Sequence, residues 1–255
     1  MSAQTDPPAA RGFSAKTAIK WVLFVQLAIA LFLMGGDLVR VLPQLAWPSS
    51  QPRFDMPVSP GDQTRRYAPS DIPLDGNPDR PFQSTGDMPS RLAFVAEADA
   101  LTITGQIAPG DAQRFTDFMN GSAAGITRVR LNSPGGSVED ALIIGQHIRD
   151  ADYDTVLGAA DICLSACPYI LAGGVSRSVH VDGQVGVHQH YFGANTALPA
   201  FLAVEDIQRG QGRVMTYLDA MGVDPLVMQH ALVTPPDEIY VLLPEELTTY
   251  QFVTP

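Results

Sequence analysis

The order of apolar and polar positions divides the chain into three stretches. Residues 1–20 are polar, carry Arg11, Lys16 and Lys20, and have no acidic residue after Asp6. From Trp21 to Gly36 the chain is uncharged and mostly apolar. A hydrocarbon core needs roughly 20 apolar residues, so a spanning helix would have to extend through Asp37 to Val41, with its end charges reaching the interface. A cleavable signal peptide tolerates a run this short, but no A-x-A-like site follows. The expectation is an uncleaved signal anchor over 21–41 with a cytoplasmic tail at 1–20. Positive charges before the run stay inside, so either reading exports the rest of the chain.

Between Pro43 and Pro89 the pattern is lost. Ten prolines are mixed with Ser, Asp, Gly and Gln, and no helical or strand period persists. Proline favours extended conformations and removes backbone donors, and few large apolar residues recur. Residues 42–90 are therefore expected to be a solvated, flexible tether.

After Arg91 the periods return. Leu92 to Ala96 and Leu101 to Ile107 read as strands flanking an acidic turn, and Asp111 to Met119 has apolar residues at helical spacing. Ile126 to Leu131 alternates into the turn cluster Asn132-Ser133-Pro134-Gly135-Gly136, and Val138 to Ile148 is again helical. Asp154 to Ala159, Ser176 to Val181 and Val185 to His188 read as strands, and Ser165 to Ala172 as a helix closed by Gly173-Gly174. A long helix is expected over Thr196 to Met221 and a shorter one from Asp224. Strands alternating with helices predict an α/β domain over 91–255, with a mainly parallel sheet and crossover helices.

Composition removes several chemistries. The net charge of −11 argues against nucleic acid, which is bound through a basic face. Lys16 and Lys20 are the only lysines, so the folded part has no Schiff-base lysine, phosphate-loop lysine or Ser-Lys dyad. The two cysteines, Cys163 and Cys167, are too few for a disulfide framework. A bond between them and a pair of small buried packing residues are both compatible with their spacing. Cys2His2 metal-ligand spacings are not matched, and neither a metal nor a cofactor is expected.

Candidate chemistry lies at three junctions. The two glycines in Asn132 to Gly136 either serve a tight turn or let backbone amides approach a developing negative charge. Ser165, between a strand and a helix, is placed as an N-cap or as a nucleophile near unpaired amides. His188 and His190 stand at alternate positions on a strand end.

Taken together and in this order, these residues resemble the Clp protease proteolytic subunits of the Clp/crotonase superfamily. Asn132-Ser-Pro-Gly-Gly is similar to the family's oxyanion turn, Ser165 in Ser-Ala-Cys-Pro-Tyr-Ile-Leu-Ala-Gly-Gly to its nucleophile and helix, and Val187-His188-Gln189 to its histidine strand. The long helix after His190 falls where the family has its oligomerising handle, and Leu243-Pro244-Glu245-Glu246-Leu247 resembles its C-terminal Pro-Glu turn. The resemblance implies a fold of repeated ββα units. It also implies that Ser165 is the nucleophile and His188 the base, that Gly135 and Ala166 donate to the oxyanion, and that Asp237 is the third member, with Glu238 as the alternative from the other end of the alignment.

The expected function is a single-pass inner-membrane serine peptidase with its catalytic domain in the periplasm, cleaving peptides or unfolded proteins. Self-association is expected from the handle-like helix. An ATPase partner is not, since exported space lacks ATP. A catalytically silent scaffold of the same fold is the alternative. Crotonase-like thioester chemistry is disfavoured, because no basic cluster for a coenzyme phosphate is evident.

Overall fold

The computed structural model describes residues 15–46, 58–67, 88–122, 125–189 and 200–255. The chain divides into two units, Met1–Ser50 and Gln51–Pro255. The first holds helix α1 (Ala15–Ala46). Consecutive large apolar residues from Trp21 to Val25 are exposed, so the described part of this helix is apolar on every side. Among the described residues no helix is long and apolar enough to cross a membrane. The side chains past residue 35, which the expected 21–41 span requires, lie outside the described residues.

The strands of the second unit build two mixed sheets. Strands β2 (Ala93–Glu97), β3 (Ala100–Thr104), β4 (Arg128–Asn132), β5 (Asp154–Leu157) and β7 (Arg177–Val179) lie side by side in that order. The β2–β3 pair is an antiparallel hairpin turned at Ala98, and the other three pairs are parallel. Parallel neighbours need a crossover. Helices α2 (Asp111–Ser122) and α3 (Val138–Asp150) supply two of them. Leu101, Ile103, Val129 and Leu131 of the sheet and Phe115, Ile144 and Ile148 of the helices are fully buried in the main core.

Asp111 ties this layer together without reaching solvent. Its carboxylate accepts from the Leu92 and Ala108 amides at 3.0 and 2.8 Å and pairs with Arg91 and Arg114 at 3.0 and 2.7 Å. Burial alone would raise its pKa. The amide and guanidinium bonds outweigh that and hold the carboxyl below its usual range.

The second sheet draws on distant segments, in the order β1 (Thr64–Arg66), β9 (Glu238–Val241), β8 (Gln184–Val187), β6 (Ile162–Leu164). β6 and β8 are parallel, while β8–β9 and β1–β9 are antiparallel. The domain is thus mixed α/β, with antiparallel edges that the expectation of a mainly parallel sheet did not contain. Beyond β6 stands α4 (Cys167–Ala172). After β8 come α5 (Ala200–Ala220), a 3-10 turn, and α6 (Met228–Val233), and after β9 comes α7 (Pro244–Thr249).

The tether reading needs a correction. Residues 58–67 belong to the domain: Thr64, Arg65 and Arg66 pair with Tyr240, Ile239 and Glu238. Tyr67 joins Ile162, Leu164, Ile239 and Val241 in a small second core. A strand of three residues has no period to detect, and it docks because Tyr67 covers apolar side chains that β6 and β9 would otherwise expose.

Candidate active site

Three backbone segments converge at Ser165. The turn after β4 is stitched to β6: Ser133 N–H donates to Ile162 O at 2.8 Å and Leu164 N–H to Ser133 O at 3.0 Å. On the other side, Ser165 N–H donates to Gly186 O of β8 at 2.9 Å. Ser165 therefore stands at the end of a strand locked on both edges. Its φ of 61° lies in the left-handed region, unfavourable for a side chain without local support. The helix expected from Ser165 begins only at Cys167, so the serine occupies the turn before it and is not its N-cap, which is Ala166.

Close packing explains the glycines. A Cβ on Gly135 would lie 2.5 Å from Leu164 O and 2.6 Å from Ser165 Cβ, and one on Gly136 would lie 2.1 Å from Ile107 O. Both glycines have positive φ. The turn can approach Ser165 only because these positions lack side chains.

The imidazole arrives from β8. His188 follows Val187, is 7% exposed, and places Nε2 2.7 Å from Ser165 Oγ, within reach for proton transfer. The sequence places these residues 23 apart. The parallel pairing of Leu164 with Gly186 brings them together.

The amides of the two glycines are placed differently. The Gly135 amide donates to Ser133 Oγ at 3.1 Å, and that hydroxyl donates onward to Gly105 O at 2.7 Å. Gly135 N–H is thus engaged inside its own turn. Gly136 differs: its bridge to Ile107 uses Gly135 O and Ser137 N–H, so its own amide points away from that partner. Ala166 N–H, at the N-cap, precedes the hydrogen-bond ladder of α4.

Cys163 and Cys167 form a disulfide with Cα atoms 5.0 Å apart. Both are fully buried in the main core. The bridge closes a small ring around Ser165, so neither sulfur is a free thiol.

Asp237 is exposed before β9, and its main-chain carbonyl accepts the Tyr67 amide at 3.0 Å. Glu238 is half-buried as the first residue of β9, opposite Arg66. The acid thus remains an assignment by resemblance. His190 and residues 196–199 of the expected long helix lie outside the described residues.

Tyr67 is the site residue that sequence reasoning missed. Its ring meets His188 edge-on at 4.8 Å between centroids, and its hydroxyl donates to Pro134 O. Burial pushes the phenol well above its ordinary pKa, and the Ser165 hydroxyl offsets part of that rise. Only the quartet Thr-Arg-Arg-Tyr marks the segment in sequence, and it is too short to stand out from a proline-rich surround.

Comparison with protein-family models and with curated proteins finds no match for the chain.

Proposed function

We propose that the chain is a membrane-tethered serine peptidase of the Clp/crotonase type, acting outside the cytoplasm on peptides or unfolded proteins without an ATPase partner. The observation that carries this reading is the 2.7 Å contact between His188 Nε2 and Ser165 Oγ on a serine held at positive φ. A serine hydroxyl is a weak nucleophile until an imidazole takes its proton. In the proposed cycle His188 Nε2 accepts that proton as Oγ attacks the peptide carbonyl. The amides of Ala166 and Gly136, with Gly136 replacing the Gly135 of the resemblance, hold the oxyanion, each worth roughly 3–4 kcal/mol. The imidazolium then protonates the leaving amine, and water releases the acyl group by the same steps in reverse order.

The location rests on two supports. Arg11, Lys16 and Lys20 precede the apolar helix, and positive flanks favour the cytoplasmic side, which supports export of the domain. A disulfide beside the nucleophile fits an oxidising compartment such as the periplasm. Helix α5, in the position of the family's handle, supports self-association.

The exposure of Asp237 favours a second reading, a catalytically silent scaffold. Labelling of the full chain with a fluorophosphonate separates the two. A signal that disappears in both Ser165→Ala and His188→Ala supports the peptidase. An equal signal from Ser165→Ala overturns the assignment of the nucleophile.

A further inference from the structure

The segment 58–67 reaches two sides of the site at once. Tyr67, 9% exposed, packs edge-on against His188 and donates its hydroxyl to Pro134 O in the turn carrying Gly135 and Gly136. A phenol has one proton, and this one is given to Pro134 O, so the Tyr67 hydroxyl has none left for an oxyanion forming beside that turn, which is stabilised by donors. Its ring fills the space beside His188.

The segment is held along β9, and Arg65 Nη1 donates to Gln184 Oε1 of β8 at 3.4 Å. Beyond the three β1–β9 register pairs, Tyr67 N–H donates to Asp237 O at 3.0 Å, Val241 N–H to Gln63 O at 2.8 Å, and Gln63 Nε2 to Tyr240 Oη at 3.3 Å. A three-residue edge strand is the kind of element that opens without global unfolding.

We propose that residues 58–67 form an inhibitory strap whose plug is Tyr67, so that the resting protein keeps Tyr67 between His188 and the Pro134 turn and turnover requires Tyr67 to leave. This rests on the serine-hydrolase reading of Ser165 and His188. The strap lies between the apolar helix and the domain in sequence, so the element that covers the site is part of the connection to the anchor.

The test is the rate of fluorophosphonate labelling of the full chain in detergent, comparing the natural sequence with Tyr67→Phe and Tyr67→Ala. Each is paired with its Ser165→Ala counterpart, and thermal unfolding is recorded in parallel. Loss of the hydroxyl alone should speed labelling about two- to tenfold, the factor that corresponds to one hydrogen bond. Tyr67→Ala should label faster still while melting earlier, a gain that a merely structural tyrosine does not give. If Tyr67→Ala fails to fold, the nearly isosteric Tyr67→Phe decides. Labelling of the natural chain at a rate that both variants match or fall below overturns the strap and leaves the hydrolase standing. Folded proteins that all stay unlabelled overturn both.

Discussion

The two sheets of the domain are held together in different ways. In the five-stranded sheet, β2 to β5 follow one another in the chain, joined by a hairpin and two crossover helices, and Asp111 pins its edge to α2. The four-stranded sheet gathers β6 and β8 from mid-chain, β9 from near the C-terminus and β1 from an N-terminal segment, and its strands are three or four residues long. The first is a frame supported by local contacts. The second depends on that frame, and it carries Ser165 and His188. The difference predicts that changes in the frame alter stability and changes at the ends of β6 and β8 alter chemistry.

The largest expected effect tests the chemical side. His188→Ala or Ser165→Ala should lower turnover of a peptide ester by roughly 10⁴-fold or more, as for the members of a Ser-His pair that act as a unit. Melting should move little, since neither side chain ties two elements of the frame. A large loss of stability with only a small loss of turnover would reverse the roles assigned to the two sheets.

The next effect tests the frame. Asp111→Asn should destabilise the domain by about 3 kcal/mol, because it removes the charge that satisfies two amides and two guanidinium groups. Turnover per folded molecule should stay the same. The carboxyl's folded-state pKa lies below its unfolded value. Its contribution is therefore complete above the unfolded titration, near pH 4, and is lost as pH falls through the lower folded value. Denaturant midpoints measured from pH 6 to pH 2 should fall more steeply for the natural chain than for Asp111→Asn. Parallel curves would show that Asp111 is not the group responsible.

The same division decides what could be read from the sequence. The frame was legible because its helices and strands are long enough to show their periods and its turns fall at Gly and Pro. At the site, the types and order of Ser165, His188 and the Gly135-Gly136 turn were legible, since a serine and a histidine at strand ends and a pair of glycines in a turn are chemically distinctive. Which amide faces outward was not. That depends on Ser133 Oγ capturing the Gly135 N–H and on the bridge at Ile107, and neither has a local signature. β1, β9 and Tyr67 were missed for a related reason: they are fixed by pairing across the chain and by covering Leu164 and Ile239, not by their own periodicity.

A smaller effect concerns the junction of the two sheets. Cys163→Ser with Cys167→Ser removes a bridge that closes a short ring, and chain entropy for such a ring gives about 2 kcal/mol. The loss should concentrate at Ser165, which lies inside the ring at positive φ. Turnover should therefore fall by a larger factor than the change in folded population. Equal factors would mean that the bridge only stabilises the fold.

The smallest effect in free energy sharpens the comparison most. If the four-stranded sheet is the dependent one, its edge should open while the frame stays closed. The Tyr67 amide bonded to Asp237 O and the Val241 amide bonded to Gln63 O report the strap. The Gly105 amide bonded to Asn132 O reports the frame. Under native conditions Tyr67 and Val241 should exchange with solvent through a local opening costing a few kcal/mol less than global unfolding, while Gly105 exchanges close to the global limit. Gln63→Ala removes the side-chain bond to Tyr240 Oη and should lower protection of the strap amides by about 1 kcal/mol without moving Gly105. Equal protection at all three positions would make the strap and the frame one cooperative unit, and the site would then lie in a single rigid domain.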